Sequence, residues 1–143
     1  MGDGTVYLDD RIVGALEISE EYVEKEKYFQ IEEIKRRSAL YRNGELKQSL
    51  DRTVILVDDG AASGATVIAA ARSIKSSNTR NLIIGLPVAP KETVELLKKE
   101  ADHVEVVTTP SSFFNSLGQY YRSFESVPDE KVREIMKKRN LLL

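Results

Sequence analysis

The sequence predicts an α/β domain in which a parallel sheet is flanked by helices, and two observations lead to this prediction. Between residues 53 and 110, three short apolar runs alternate with two segments of helical composition. Alternation of this kind is typical of parallel strands joined by right-handed crossover helices. The chain has 143 residues, which fits one domain with a substantial core. Residues 1–143 are therefore expected to form a single domain.

Two elements are expected before the core. Thr5 to Leu8 is a short β-branched and aromatic run, which predicts a brief strand near a sheet edge. Residues 19–43 are dense in Glu, Lys and Arg, and they predict one long, mostly solvated helix with Ser19 as its N-cap and Asn43-Gly44 at its end. Ion pairs four residues apart support this helix, namely Glu21/Lys25, Glu32/Arg36 and Glu33/Arg37.

The core is predicted over residues 53–110. The first strand is a continuous apolar run, as expected for a parallel strand that is covered on both faces. In order, the predicted elements are a strand from Thr53 to Val57, a helix from Ala65 to Ile74, a strand from Leu82 to Val88, a helix from Pro90 to Ala101 and a strand from Val104 to Thr108. Ligands of such sheets bind at the carboxyl ends of the strands.

Residues 126–143 predict a closing helix. Ser126 is a capping hydroxyl, Pro128 fits the first helical position, and Asp129 favours the first turn. The expected buried stripe of this helix consists of Val132, Ile135, Met136 and Leu141.

Composition excludes several classes of function. The formal net charge is -2 with 31% charged residues, so there is no strong electrostatic case for binding nucleic acid. The absence of cysteine excludes disulfides, thiolate catalysis and the usual structural zinc sites, and it suits a reducing cytoplasm. No apolar run approaches the roughly 20 residues that cross a bilayer, and no signal peptide is apparent. We therefore expect a cytoplasmic protein that does not bind membranes.

The stretch from Val54 to Thr66 is the most informative pattern. Its strand delivers Asp58 and Asp59 to the carboxyl edge of the sheet, and a loop of small residues then opens a helix. Gly60 and Gly64 permit backbone conformations that other residues avoid, and they let a ligand approach the main chain. The stretch therefore predicts a binding site at this edge.

The chemistry of this loop suits a sugar phosphate. Backbone N–H groups at a helix N-terminus, with hydroxyls beside them, bind phosphate dianions. Asp58 and Asp59 would bind the hydroxyls of the sugar, either by accepting hydrogen bonds from them or through Mg2+. The residues expected to hold the phosphate are Gly60, Ala61, Ala62, Ser63, Gly64, Ala65 and Thr66.

The same stretch has two other possible interpretations. The first is a generic buried strand that ends in a polar turn, which Ser63 to Thr66 at this spacing disfavours. The second is a response-regulator receiver, which also begins with a strand ending in paired acids. A receiver needs a phosphoacceptor Asp at the end of a later strand, and here that strand ends in Pro87-Val88-Ala89.

The thirteen residues from Val54 to Thr66 resemble the motif by which type I phosphoribosyltransferases bind phosphoribosyl pyrophosphate (PRPP). The acid pair, both glycines and both hydroxyl residues occupy their places. Other segments resemble phosphoribosyltransferases of bacteria and archaea whose substrate is generally unassigned; they are Asp3 to Leu8, residues 19–42, Gly85 to Pro90, Ala101-Asp102, Thr109-Pro110, Phe113-Phe114 and Gly118 to Tyr121. The resemblance covers nearly the whole chain and implies a Rossmann-like, type I phosphoribosyltransferase-like fold.

The resemblance also implies an activity. Such proteins transfer phosphoribose from PRPP, with Mg2+, to a purine or pyrimidine base, as in nucleotide salvage. It assigns catalytic roles to Asp58 and Asp59, with Asp59 favoured as the general base, and places Mg2+ near both through ribose or water. Phe113 and Phe114 are candidates for stacking on the base, with Tyr120 and Tyr121 beside them. The alternative, that these rings pack in the core, stays open, and His103 is expected to be a solvated loop residue.

Type I phosphoribosyltransferases also share an upstream loop that holds pyrophosphate, and no position before Arg11 matches it. The fold is thus expected to be incomplete at the N-terminus. The chain could be truncated, could have its other half encoded separately, or could have kept binding and lost transfer. The alternative function is therefore a non-catalytic sensor or subunit that recognises a phosphoribosyl ligand. An open sheet edge would favour a homodimer or higher oligomer.

Overall fold

The computed structural model describes residues 5–42, 51–110 and 114–140. Its helices are α1 (Asp10–Ala15), α2 (Glu20–Arg42), α3 (Ala65–Ser76), α4 (Lys91–Leu97) and α5 (Asp129–Asn140), and its strands are β1 (Thr53–Val57), β2 (Asn81–Val88) and β3 (His103–Thr108). A short 3-10 turn covers Leu117–Tyr120. None of the helices in these ranges is long and apolar enough to cross a membrane.

The three strands form one parallel sheet in the order β1-β2-β3. The predicted α/β architecture, with a parallel sheet and flanking helices, is confirmed. β1 has the predicted bounds, and β2 and β3 each begin one residue earlier than expected. The helix predicted from Pro90 to Ala101 is shorter, because the amides of Lys99 and Glu100 bond three residues back and tighten the last turn.

One face of the sheet carries the core. Leu82, Ile84, Leu86 and Val88 of β2 all point to this face and are buried. Leu82, Ile84 and Leu86 pack against buried residues of α3 and α4, which include Val67, Ile68, Ala71, Val94 and Leu97. The alanines of α3 let that helix lie close to the sheet, and this fixes its N-terminus beside the end of β1.

The opposite face of the sheet is exposed, so the prediction that β1 is covered on both faces is wrong. Ile55 and Val57 are 64% and 68% exposed, and Val107 on β3 is 83% exposed. The reason is that α3 and α4 both pack on the core face of the sheet, where Val54 and Leu56 of β1 lie. Ile55 and Val57 alternate with these two residues and point to the other face. Within the described ranges, nothing shields this second face.

The strand predicted from Thr5 to Leu8 is also wrong. The structure has no strand over this segment, and its Tyr7 packs instead against the core. The guanidinium carbon of Arg72 lies 5.1 Å from the centre of the Tyr7 ring, a cation-π contact. A β-branched run of this length has high strand propensity, but it forms a strand only where a neighbour offers its backbone.

The long charged helix is confirmed as α2. The Oγ of Ser19 accepts a hydrogen bond from the amide of Tyr22 at 3.2 Å, as an N-cap should. The predicted pair of Glu33 with Arg37 forms, at 2.6 Å. The helix end predicted at Asn43-Gly44 lies outside the described residues.

Arg36 does not pair with Glu32 as predicted, and instead helps to join α2 to α5. Its guanidinium bonds to Glu33 at 2.7 Å and to Asp129 at 2.8 Å, and the hydroxyl of Tyr41 also donates to Asp129. α5 begins at Asp129, one residue later than predicted, so Pro128 precedes the helix instead of opening it. Of its predicted stripe, Val132 and Met136 are half-buried, Ile135 is 53% exposed, and Leu141 lies outside the described residues.

Candidate functional site

The predicted binding loop lies at the carboxyl edge of the sheet. β1 ends at Val57, the two acids follow, and α3 begins at Ala65. The amide of Ala61 donates to the carbonyl of Val88 at 3.0 Å, which joins the loop to the end of the neighbouring strand β2. The loop is therefore held where parallel α/β sheets bind their ligands.

Both acids and all the predicted phosphate-binding residues line one cleft. The cleft has a volume of ≈ 230 Å³, and its lining consists of residues 58–67 together with Leu117. A water molecule occupies about 30 Å³ of liquid, and pockets for drug-sized ligands begin at about 300 Å³. The cleft therefore suits a ligand of intermediate size, such as a phosphate group with part of a sugar.

Several amides in this loop are available to a ligand. The amide of Ala65 makes a long 3.4 Å contact to the Oγ of Ser63. In the described part of the chain, the amides of Ala62, Ser63, Gly64 and Thr66 donate to no protein acceptor. Because they surround the first turn of α3, the partial positive charge of the helix terminus adds to theirs. Such a terminus favours an anion.

The two glycines are required by both conformation and packing. Gly60 has φ +152° and Gly64 has φ +80°, regions that other residues rarely adopt. A Cβ on Gly60 would lie 2.4 Å from the Cδ2 of Leu117, and one on Gly64 would lie 2.9 Å from the Cγ2 of Thr93. At these two positions, the main chain therefore borders the cleft without a side chain.

Thr93 on α4 supports the loop from behind. It is 4% exposed, and its hydroxyl donates to the carbonyl oxygen of Ala62 at 2.5 Å. This residue was not predicted from the sequence. Thr93 lies in the first turn of α4, and nothing in its local sequence marks it as part of a site.

Asp58 and Asp59 are consecutive residues in the lining of the cleft. The amide of Asp59 donates to the Oδ1 of Asp58 at 3.0 Å. Partial burial raises the pKa of the Asp58 carboxyl, and the charge of Asp59 adds to this rise, while the amide of Asp59 opposes it. Two adjacent carboxylates of this kind can accept hydrogen bonds from vicinal hydroxyls.

The magnesium ion expected near these two acids stays a prediction. Within residues 5–42, 51–110 and 114–140, no group of three or more His, Cys, Asp or Glu side chains could enclose a metal. Magnesium keeps several waters and is usually held by one or two carboxylates together with phosphate oxygens of the substrate. Asp58 and Asp59 could therefore supply the protein side of such a site while the ligand supplies the rest.

Residues after β3 contact the loop, and only some of them could be expected from the sequence. Leu117 lines the cleft and fills the space beside Gly60. The hydroxyl of Tyr121 donates to the backbone carbonyl of Asp59. Leu117 was not predicted at all, because an apolar residue in a turn carries no signal of its own.

The aromatic residues proposed for base stacking are only partly described. Phe113 lies outside the described residues. Phe114 does not line the cleft, and its ring stacks on Tyr120 with centroids 5.8 Å apart and 19° between the planes. A role for Phe113 or Phe114 in binding a base stays a prediction.

The chain is similar to several known proteins, although no family model matches it. Two curated proteins of Mycobacterium tuberculosis, from strains CDC 1551 / Oshkosh and ATCC 25618 / H37Rv, bear the name "Putative phosphoribosyl transferase" and are 30% identical to it over 131 residues. The match covers 91% of this chain and 29% of each relative, so the chain spans less than a third of their length. The crystal structure of TT1426 from Thermus thermophilus superposes with a TM-score of 0.74 at 32% identity, covering 96% of this chain and 64% of that one.

Proposed function

We propose that this chain, which its relatives assign to the phosphoribosyltransferase family, binds ribose 5-phosphate and PRPP through residues 58–66. One observation carries the proposal: every residue from Asp58 to Thr66 lines a single cleft, and four amides of this stretch donate to no acceptor in the described chain. Sugar phosphates combine a dianion with vicinal hydroxyls, which matches the two kinds of group in this cleft.

The 5-phosphate would bind the loop from Gly60 to Thr66. The amides of Ala62, Ser63 and Gly64 would donate to its oxygens, and the hydroxyls of Ser63 and Thr66, both exposed residues, are close enough in sequence to join them. A hydrogen bond to a charged group contributes roughly 1.5–3 kcal/mol. Three or four such bonds would hold a phosphate against weak competitors in the cell.

The ribose would lie against the acids. Asp58 and Asp59 would bind its 2- and 3-hydroxyls, either by accepting hydrogen bonds from them or through Mg2+ bound to the ligand. When bound, the metal would neutralise charge on the pyrophosphate of PRPP. The lining of the cleft fits this arrangement, since its two acids are followed directly by its small residues.

We further propose that the reaction is transfer of phosphoribose to a nitrogenous base, as in nucleotide salvage. A nitrogen of the base would form a bond to C1 of the ribose while the bond from C1 to the pyrophosphate oxygen breaks. Pyrophosphate would leave with the electron pair, and the proton released from the base nitrogen would pass to a carboxylate, for which Asp59 is the candidate. The family assignment supports a transferase.

The experiment is a calorimetric titration with PRPP and with ribose 5-phosphate, each with and without Mg2+. We expect binding of both ligands, with PRPP affinity increased by Mg2+. The double variant Asp58→Asn with Asp59→Asn should bind ribose 5-phosphate with an affinity lower by at least about tenfold, the equivalent of 1.4 kcal/mol. The matched control is Glu105→Gln, an exposed acid on β3 that pairs with His103 away from the cleft. Absence of any heat with either ligand would contradict the proposal.

A second candidate function is a sensor or subunit that binds the phosphoribosyl ligand without turnover. The observation that favours it is the composition of the cleft, since no Lys or Arg is among the described residues that line it. The negative charge that develops on the departing pyrophosphate must be stabilised by positively charged groups held in position. A pyrophosphate-release assay with a panel of purine and pyrimidine bases separates the two functions, because only the transferase releases pyrophosphate.

A further inference from the structure

We propose that Tyr121 is a positioning residue for the second acid of the site, holding Asp59 where it can meet the sugar of a bound sugar phosphate. The inference rests on the proposed function of residues 58–66. It assigns the orientation of a sugar-binding acid to a residue in the segment that follows β3.

The backbone of Asp59 is held at both ends. Its carbonyl oxygen accepts the hydrogen bond from the hydroxyl of Tyr121, which lies 62 residues further along the chain. Its amide donates to the Oδ1 of Asp58 at 3.0 Å. The carboxylate of Asp59 makes no hydrogen bond or ion pair within the part of the chain that the structure describes. The acid thus has a fixed backbone and a side chain that is available to a ligand.

Tyr121 is itself firmly supported. Its amide donates to the carbonyl of Gly118 at 3.2 Å, which closes the 3-10 turn Leu117–Tyr120. Its ring packs on that of Phe124, with centroids 5.0 Å apart. At the other end of the same turn, Leu117 abuts Gly60. The turn therefore contacts two consecutive residues of the loop, the second acid and the glycine after it.

This arrangement separates two parts of ligand binding. Inorganic phosphate would use only the amides of the loop, which Tyr121 does not contact. Ribose 5-phosphate would also use the carboxylates. If the hydroxyl of Tyr121 orients Asp59, its loss should weaken the affinity for the sugar phosphate and leave the affinity for inorganic phosphate unchanged. A purely structural role would change both affinities or neither.

The test is Tyr121→Phe, which keeps the ring and its contact with Phe124 and removes only the hydroxyl. Affinities for ribose 5-phosphate and for inorganic phosphate are measured by calorimetry, and thermal unfolding confirms that the variant is folded. We expect the affinity for ribose 5-phosphate to fall roughly three- to tenfold, the usual effect of one hydrogen bond, and the affinity for inorganic phosphate to stay unchanged. The matched control is Tyr22→Phe, which removes the hydroxyl of a residue that is 59% exposed on α2 and should change neither affinity.

The results of this test distinguish the inference from the function on which it rests. If the unaltered protein binds ribose 5-phosphate and Tyr121→Phe weakens both ligands equally, or neither, the positioning role is overturned while the proposed function stands. If the unaltered protein binds neither ligand, the proposed function fails and the positioning role fails with it.

Discussion

The hydroxyl of Thr93 donates to the carbonyl oxygen of Ala62 at 2.5 Å, although the two residues are 31 positions apart. The bond joins the first turn of α4 to the middle of the binding loop, and Thr93 is buried while Ala62 lines the cleft. The nearby Gly64 leaves room for the methyl group of the same threonine. The shape of the loop is therefore set by α4 as well as by its own glycines.

Thr93→Val should loosen the loop, since valine has the shape of threonine and lacks the hydroxyl. We expect a loss of about 1 kcal/mol in unfolding free energy and a several-fold weaker affinity for ribose 5-phosphate. Chemical denaturation and calorimetry measure the two effects. The control is Thr79→Val, which removes a bond of the same type to the carbonyl of Ile74, distant from the cleft, and should affect stability alone. Equal effects of both variants on affinity would contradict a supporting role for Thr93.

Gly64→Ala should damage both folding and binding. An alanine at φ +80° is strained by about 1–2 kcal/mol, and its Cβ would meet the methyl group of Thr93. We expect a lower melting temperature and at least a tenfold loss of phosphate affinity. The control is Gly14→Ala on α1, where a Cβ would meet nothing within 4 Å and alanine is the better helix former. A Gly64→Ala variant that binds phosphate normally would show that this tight turn is not needed.

The parts of the fold that could be predicted are those that depend on local sequence. The bounds of β1 followed from an apolar run between Arg52 and the acid pair, and the N-cap of α2 from one serine. The loop was predictable because glycine is required by its own backbone conformation. Such features do not need knowledge of which elements are neighbours in space.

The parts that could not be predicted depend on tertiary contacts. Thr93 and Leu117 are distant from the loop in sequence, and their residue types are ordinary at the places where they stand. Tyr121 was expected only beside the candidates for base stacking, and nothing local indicates its hydrogen bond to Asp59. The segment Thr5 to Leu8 has the composition of a strand, yet the described sheet consists of β1, β2 and β3 and does not include it. The apolar character of β1 indicated burial on both faces, yet both core helices pack on one.

Asp58→Asn should stabilise the protein at neutral pH while weakening its binding of ribose. Burial raises the pKa of this carboxyl above its ordinary value of 3.8, so the folded protein disfavours the charged form. The resulting destabilisation is fully present above the raised pKa and disappears as the pH falls through it toward the ordinary value. Melting temperatures of both proteins between about pH 3 and pH 8 should therefore differ most at high pH and converge in acid. A constant difference across this range would contradict the assignment.

The exposed sheet face predicts self-association. Ile55, Val57 and Val107 are mostly exposed, and β1 has a neighbour on one side only in the described sheet. Because monomers rarely leave such surfaces in water, we expect a second copy of the chain to cover this face. Light scattering should give the molar mass of a dimer or larger species, and Ile55→Lys should shift the association equilibrium toward the monomer. Ile135→Lys, at an exposed position of α5, is the control; a concentration-independent monomer would contradict this prediction.

The most direct test of the central claim is to follow the backbone amides by NMR while ribose 5-phosphate is added to the isotopically labelled protein. If the loop holds the 5-phosphate, the largest shifts should fall on the amides of Ala62, Ser63, Gly64 and Thr66, for which the described chain offers no acceptor. Inorganic phosphate should move the same signals. Shifts confined to another surface, such as the basic end of α5 at Lys137 and Lys138, with the loop signals unmoved, would contradict the account.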